Sequence, residues 1–520
     1  MPQRKLAKNI GVMSIAVFLS RILGLVRDQI MTYFFGTTYI NDAFNVAYNI
    51  PNLLRRLFGE GALSAAFVPM YNELGITKGK KEQMLFAINV VSILTLFLSM
   101  LTLIGIVFAP LIVRLLYPGL SEPTILLAIK LSRIMFPYLF FIGLSSTFIA
   151  ILNSHDYFFM TGLSSALLNI GMVLTVIAPH LIWGITNEQL IIWAGWGVFL
   201  GGLLQTLINY PYLKKIGYSF KFILTFSGTA ITDLWKRFIP AMIGIGIREI
   251  NLIADALMAS FLPVGSITSL GIGNRLMQMP LGIFGISTGS AVLPMYSKSI
   301  TDKNWSELSG SLRFATVSLV LIMLPITSLI GVLGKDFVRI LFERGVFDST
   351  ASLMTTQALF YYSLGLIFFS LNQTITPLFY ANKDTKTPVK IAAYMVLLNI
   401  ILNFILMQFI QHRGLALSTS ITAMVNYCVL IYLIRKSIPE VNLKGIITPI
   451  VKLLGLVILL TAVLYTVNTL FNIDDIKLLI IKDVVSGVIF FGLFIFLAYL
   501  LKVPYLDKIK STIWSRLTKK

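Results

Sequence analysis

The chain has 520 residues, 57% of them hydrophobic and 12% charged, with a mean hydropathy of +0.85. That leaves too little polar surface to cover a water-soluble globule of this length, and a bilayer is the solvent that remains. The formal charge of +20 is spread over many short segments rather than gathered on one face, which argues against a nucleic-acid surface and fits basic cytoplasmic loops. Cys428 is the only cysteine, so no intrachain disulfide is available. His155, His180 and His412 lack ligand spacing, so no catalytic metal site is expected.

Uncharged runs at 92–113, 314–334, 453–470 and 484–501 are each long enough, at about 1.5 Å per residue, to cross roughly 30 Å of hydrocarbon. Allowing isolated polar residues, the pattern predicts about fourteen helices: 10–35, 42–73, 84–115, 126–152, 158–180, 188–213, 231–261, 267–297, 309–334, 353–380, 386–410, 413–434, 446–470 and 482–502. The first lacks a small-residue cleavage site and carries Arg21, Arg27 and Asp28, so it is expected as a retained helix, not a signal peptide.

Basic residues mark alternate connections: Arg4, Lys5 and Lys8, then Lys78, Lys80 and Lys81, Lys214 and Lys215, Lys298 and Lys303, Lys383 and Lys386, and Arg435 and Lys436. Both termini are therefore expected in the cytoplasm. Two segments fit this pattern less well, 335–352 with Lys335, Arg339 and Arg344, and 471–481 with Lys477. The basic tail 502–520 is expected to rest on anionic headgroups.

An internal duplication organises the chain. AAFVPMYNEL (65–74) returns as SAVLPMYSKS (290–299) about 225 positions downstream, and the same offset pairs Asn49 with Asn274 and Arg114 with Arg339. Slightly shifted offsets pair Arg21 and Asp28 with Arg248 and Asp255, and LLNI at 167–170 with LLNI at 397–400. An even number of spans per repeat makes the copies parallel, so the expected fold is an all-α polytopic membrane protein with two six-helix lobes around a central cavity. The expected division is an N-terminal lobe 1–215, a cytoplasmic connector 216–230, a C-terminal lobe 231–437, and an appendage 438–520 with two extra helices and the tail.

Polar residues within the spans are the functional candidates. Ser20, Arg21, Gly24 and Asp28 fall near one helical face with Arg27 beside them; the second span offers Asn49, Pro51, Asn52, Arg55, Arg56 and Glu60. The seventh and eighth offer Arg248, Glu249, Asp255, Asn274, Arg275 and Gln278. An ionisable side chain at membrane depth costs at least about 2.5 kcal/mol, so such a group implies a hydrated interior. Any one arginine could instead snorkel or hold helices together. As a set, Arg21, Arg27, Arg55 and Arg275 outnumber the acids beside them and predict an anionic, phosphate-bearing cargo.

SRILGLVRD (20–28), NDAFNVAYNIPNLLRRLFGEGALSAAFVP (41–69), GNRLMQMPLGIFGISTGSAVLP (273–294), FERGVFD (342–348) and KDTKTPVKI (383–391) resemble the signature regions of MurJ/MviN-type lipid II flippases. These belong to the multidrug/oligosaccharidyl-lipid/polysaccharide exporter superfamily, and the resemblance spans nearly the whole chain. It implies a fourteen-helix protein of the bacterial inner membrane that turns lipid II, the undecaprenyl-pyrophosphate-linked peptidoglycan precursor, from the cytoplasmic to the periplasmic leaflet. It also implies substrate contacts at Arg21, Arg27, Arg55 and Arg275, acidic positions at Asp28 and Asp42, and a lipid-tail groove formed by the two extra helices. Asn274 and Gln278 stand where some relatives carry acids, which puts a proton relay beside Arg275 in doubt.

The expected mechanism is alternating access, with the pyrophosphate held by the arginines, Ser20 and Asn52 among the substrate contacts, and Gly24, Pro51, Gly59, Gly61 and Pro280 as candidate hinges. No cofactor is expected apart from a possible coupling sodium ion at Asp255, Asn399, Asn403 and Thr419; a plain polar cluster between helices is the competing reading there. Lipid II and membrane lipids are the expected partners of a monomer that is no enzyme. The alternatives are a cation-coupled drug antiporter or a flippase of another polyprenyl-linked oligosaccharide.

Overall fold

The computed structural model describes residues 2–57, 62–471 and 473–506, and within helices it leaves out the side chains at 2–18, 62, 64–65, 158–162, 165, 241, 243–245 and 247–248. Gly59, Glu60, Gly61, the side chain of Arg248 and most of the basic tail therefore lie outside the described residues. The described residues are helical with no strand.

In chain order the helices are α1 (Pro2–Phe35), α2 (Tyr39–Arg55), α3 (Ala62–Thr77), α4 (Lys80–Val107), α5 (Ala109–Leu116), α6 (Glu122–Met135) and α7 (Pro137–Asn153). Then come α8 (Phe158–Trp183), α9 (Asn187–Leu207), α10 (Tyr210–Lys215), α11 (Thr229–Ala259), α12 (Ser266–Pro280), α13 (Ser287–Thr301) and α14 (Trp305–Phe342). The last six are α15 (Ser349–Ser363), α16 (Leu366–Ala381), α17 (Lys386–Ile410), α18 (His412–Ser437), α19 (Ile447–Leu470) and α20 (Ile476–Leu500).

Several expected single spans are broken at prolines. The ring removes a backbone N–H and crowds the preceding turn, which accounts for the break between α4 and α5 ahead of Pro110 and the one between α6 and α7 at Pro137. Pro280 closes α12 and is followed by a π-helical turn, Leu281–Ile286, before α13 resumes; such turns accommodate an irregular step without ending the span. The repeated motif keeps its proline on a helix in both copies, Pro69 in α3 and Pro294 in α13.

Eleven segments among the described residues are long and apolar enough to cross a membrane. The expected count of fourteen is not established by them. The remaining expected spans, 10–35, 42–73 and 231–261, fall on α1, on α2 with α3, and on α11, where ionisable residues interrupt the apolar run and part of each segment is undescribed. At 38 residues α14 is the longest, about 57 Å at 1.5 Å per residue, so it overreaches a 30 Å hydrocarbon core and carries its charged ends beyond the uncharged stretch 314–334.

The helices group into two compact units, residues 1–268 with 344–347, and 269–343 with 348–520. Contact grouping follows packing and the sequence repeat follows ancestry, so these units need not coincide with the lobes expected from the duplication. In the first unit, Ala43, Val46, Ala47 and Ile50 of α2 pack with Ala128, Leu131 and Met135 of α6 and Val198 of α9 in one core, and Phe67, Tyr71, Phe86, Leu98 and Ile151 lie in another. In the second unit, Tyr296, Leu308, Leu312, Phe379 and Ile434 form a core. Outside these cores, large apolar side chains such as Leu397, Phe404 and Phe409 on α17 and Val488 and Phe496 on α20 are exposed, as lipid-facing surfaces require.

Small residues set the approach of α8 and α9. A Cβ on Gly201 would lie 2.8 Å from the Leu168 Cα, and one on Gly171 would lie 3.0 Å from the Gly201 Cα. Backbone atoms cannot yield as a flexible side chain can, so a larger residue must push the helices apart. Gly201→Val is expected to destabilise the protein by about 1–3 kcal/mol, read as a lowered thermal transition of the purified chain in detergent. An unchanged transition would mean that the two helices separate at no cost.

Candidate functional site

The first unit holds most of the cationic candidates. On α1, Arg27 is 14% exposed and directs Nε (3.1 Å) and Nη2 (2.7 Å) to Oδ1 of Asp28, itself 13% exposed. A carboxylate next in sequence thus holds the guanidinium in one orientation. Arg21 lies on an exposed part of the same helix. Ser20 accepts a hydrogen bond at its backbone oxygen from Asn169 Nδ2 of α8 (3.2 Å), and a Cβ on Gly24 would meet the same amide at 3.7 Å, so α1 is seated on α8 through the LLNI asparagine.

On α2, Arg55 donates from Nε to Oδ1 of Asn52 at 2.8 Å, one helical turn back. Arg56 faces Glu249 of α11, with Nη1 3.7 Å from Oε2. Glu249 is almost fully buried and Arg56 is 41% exposed. Between them lies a cavity of about 150 Å³ lined by Asn49, Asn52, Arg56, Tyr117 and Glu249 together with apolar residues of α2 and α11. Its size suits several waters or one small charged group, since liquid water occupies about 30 Å³ per molecule.

Asp42 occupies a different environment. It is 2% exposed, and its carboxylate accepts from the Gly265 N–H (2.6 Å), the Thr268 N–H (3.0 Å) and the Thr268 hydroxyl (2.7 Å). Asn45 donates to the same hydroxyl at 3.0 Å, and Asn41 donates to the Gly36 carbonyl at 2.6 Å. An acid at the start of α12 satisfies N–H groups that a helix cannot pair for itself and complements the positive end of its dipole. Asp42 therefore ties the 262–265 connection and the first turn of α12 to the start of α2.

The four candidate sodium ligands divide between the units. Asp255, in the first, accepts from Asn251 Nδ2 at 3.1 Å. In the second, Asn403 Nδ2 donates to Asn399 Oδ1 (3.0 Å), Asn399 Nδ2 donates to Ser418 Oγ (3.4 Å), and Ser418 Oγ donates in turn to Asn403 Oδ1. Thr419 donates to the Leu415 carbonyl at 2.8 Å. The asparagine oxygens thus already accept protein donors, and ligation of a cation would have to displace the Ser418 hydroxyl. Arg275, also in the second unit, is exposed on α12, whose Asn274 accepts from Gln278. Among the described residues no group of three His, Cys, Asp or Glu could hold a metal ion.

The sequence located the charged α1 and α2 faces but not their partners. Tyr117 and Gly265 lie in connections between helices and Thr268 in the first turn of α12, and no spacing rule links them to Asn49 or Asp42. The signal available was the acid at the very start of a span, where a free carboxylate would be costly unless it received donors.

Comparison with known proteins covers most of the chain. The family described as Lipid II flippase MurJ matches residues 31–482. A protein of Buchnera aphidicola subsp. Baizongia pistaciae, named as a probable lipid II flippase MurJ, is 32% identical over 425 residues, covering 81% of this chain and 82% of its own. The Burkholderia cenocepacia lipid II flippase MurJ is 31% identical over 427 residues, covering 80% and 81%. Among solved structures, a lipid II flippase MurJ in an inward closed conformation superposes with a TM-score of 0.79 at 29% identity, covering 96% of this chain and 99% of that one. An inward-facing multidrug transporter of the MATE family shares the fold at a TM-score of 0.67 and 12% identity.

The Asp42 network makes a local prediction. Asp42→Ala removes the acceptor of two backbone N–H groups and is expected to cost about 1–3 kcal/mol. Hydrogen exchange at Gly265 and Thr268 is then expected to accelerate while exchange in α8 and α9 stays as it was. Unchanged protection at 265–268 would show that the carboxylate is dispensable to that connection.

Proposed function

The chain belongs to the MurJ lipid II flippase family, and from that membership we propose that it moves lipid II across the bacterial inner membrane by alternating access, from the cytoplasmic to the periplasmic leaflet. The observation that carries the chemical part of the reading is the Arg27–Asp28 pair, an oriented and largely buried guanidinium on a helix that also bears Arg21. Guanidinium presents five N–H donors in a planar fork that matches phosphate oxygens two at a time. The pyrophosphate is the part of lipid II with that geometry. Asp28 keeps the fork from collapsing elsewhere when no cargo is bound and surrenders it to the stronger dianionic partner when cargo arrives.

Arg55, positioned by Asn52, supplies a second cation on α2; Arg275 is the exposed arginine of α12 in the second unit and is a candidate anion contact there. The Arg56–Glu249 cavity lies beside the Asn52 end of this group and is too small for a disaccharide-peptide headgroup, so it serves as a polar margin of the route. The polyprenyl tail stays in lipid or against α19 and α20, whose apolar faces are exposed. The protein works as a monomer with both termini in the cytoplasm, and it catalyses no bond making or breaking.

Sodium is the coupling ion of this reading, with Asn399, Asn403 and Thr419 of α17 and α18 as its oxygen donors in the second unit. The support is the number of oxygen-bearing side chains buried on α17 and α18; the Ser418 hydrogen bond to Asn403 is what the ion would replace. Cargo movement in proteoliposomes then requires a sodium gradient.

The test is complementation of a bacterium depleted of its own lipid II flippase, with variants matched for membrane abundance. The parent is expected to restore growth, Arg27→Lys to restore it partly because charge survives without the fork, and Arg27→Ala to fail. Loss of one charged bidentate contact is worth roughly 1.5–3 kcal/mol, or about 10- to 100-fold in cargo affinity. Full rescue by Arg27→Ala would remove that residue from the cargo site. Failure of a well-inserted parent would turn the reading toward another polyprenyl-linked oligosaccharide.

A further inference from the structure

The second unit contains a charged cluster that the flippase reading does not use. Lys482, near the start of α20, places Nζ 2.9 Å from Asp336 Oδ2 on α14, 2.7 Å from Asn468 Oδ1 on α19 and 3.4 Å from Asp483 Oδ1 on its own helix. The three charged side chains are only 11%, 16% and 12% exposed, for Lys482, Asp336 and Asp483. Both carboxylate oxygens of Asp483 are shielded and receive no hydrogen bond. The cluster lies where the uncharged stretches 314–334 and 484–501 end, about 10 Å along α20 from its first residue.

One ammonium faces two carboxylates here, and the neighbouring charges do not correct the imbalance. On α14, Arg339 is engaged by Glu343 (3.8 Å) and by the Asp474 carbonyl (3.2 Å), and Lys335 is exposed. Asp475 caps α20 by accepting from the Lys477 and Leu478 N–H groups, each at 2.9 Å, and the Lys477 side chain is exposed. On this end of α19 the group that reaches Lys482 is the neutral Asn468. Two carboxylates beside one cation favour protonation of one of them, and the carboxylate without donors is the one that gains most from becoming neutral. A phosphate or lipid headgroup is disfavoured, because the ionised cluster carries net negative charge.

We propose that Asp336, Lys482 and Asp483 form a proton-binding site that fastens α20 to α14, with the proton on Asp483 and the ammonium paired to Asp336. When the proton leaves, a second carboxylate charge is stranded at the rim of the apolar span, and the contact of α20 with α14 loosens. Attachment is therefore tightest in acid and weakens as pH rises. The α19–α20 pair lies beyond the duplicated segments, so the site adds a proton response to a part of the chain for which the repeat gives no counterpart.

The test is hydrogen exchange of residues 476–483 in the full chain in liposomes across the carboxyl titration range, corrected for the intrinsic pH dependence of exchange and paired with infrared detection of a protonated carboxyl band. The parent is expected to lose protection by roughly tenfold on deprotonation, the size of a one-unit linkage, as the band disappears. Asp483→Asn is expected to lack the titrating band and to keep the acid level of protection throughout. Asp336→Asn leaves Lys482 to Asp483 and is expected to move the titration to lower pH, which covers the case in which Asp483→Asn does not fold. Glu343→Gln is expected to behave as the parent. The proposal is overturned if the titration survives in Asp483→Asn, if it stays at the parental pH in Asp336→Asn, if the parent shows none, or if protection follows added sodium or magnesium at fixed pH, which would make the cluster a metal-cation site.

Discussion

An ionised side chain on a helix in hydrocarbon costs at least about 2.5 kcal/mol, and the arrangement of polar groups in this chain follows from that cost. Among the described residues four deeply placed charges have partners: Arg27 has Asp28, Glu249 has Arg56, Asp42 has the N–H groups of Gly265 and Thr268, and Lys482 has Asp336. These pairings are different solutions to one problem. Asp42 is satisfied by backbone and so acts as a structural fastening, whereas Arg27 is satisfied by a neighbouring side chain that an incoming anion can replace. The difference decides which charge can serve a cargo.

The apolar framework was legible in the sequence because its signal is length and composition alone. The two final helices match the uncharged runs that announced them, and the duplicated proline motif falls on a helix in each copy. Where the chain mixes charge with apolar residues, that signal weakens: the expected span 42–73 is two described helices, and the residues between them, with Glu60, lie outside the description. The break at Pro137 was not anticipated, because hydropathy averages over a proline that backbone geometry cannot ignore, whereas Pro280, which stands beside the π-helical turn, was already singled out as a candidate hinge.

At the site, the residue types were legible and their pairings only in part. Arg27 and Asp28 are adjacent in sequence, but neighbouring positions on a helix do not face each other, so their hydrogen bonds had to be found in the structure. The Arg56–Glu249, Asp42–Thr268 and Asp336–Lys482 contacts join residues far apart in the chain, and periodicity carries no information about them. One trace was nevertheless present. The segments 335–352 and 471–481 departed from the alternation of basic loops, and in the structure Arg339 is tied to Glu343 and to the Asp474 carbonyl, with the Lys482 cluster close by in sequence.

The central claim is that an oriented arginine on α1 recognises the pyrophosphate of a polyprenyl-linked cargo. Its most direct measurement is binding of undecaprenyl pyrophosphate, undecaprenyl monophosphate and undecaprenol to the purified chain in lipid nanodiscs, for the parent and for Arg27→Ala. The account predicts that the parent prefers the pyrophosphate and that Arg27→Ala narrows the gap between the phosphorylated lipids and undecaprenol. Equal binding of all three lipids by the parent would contradict it.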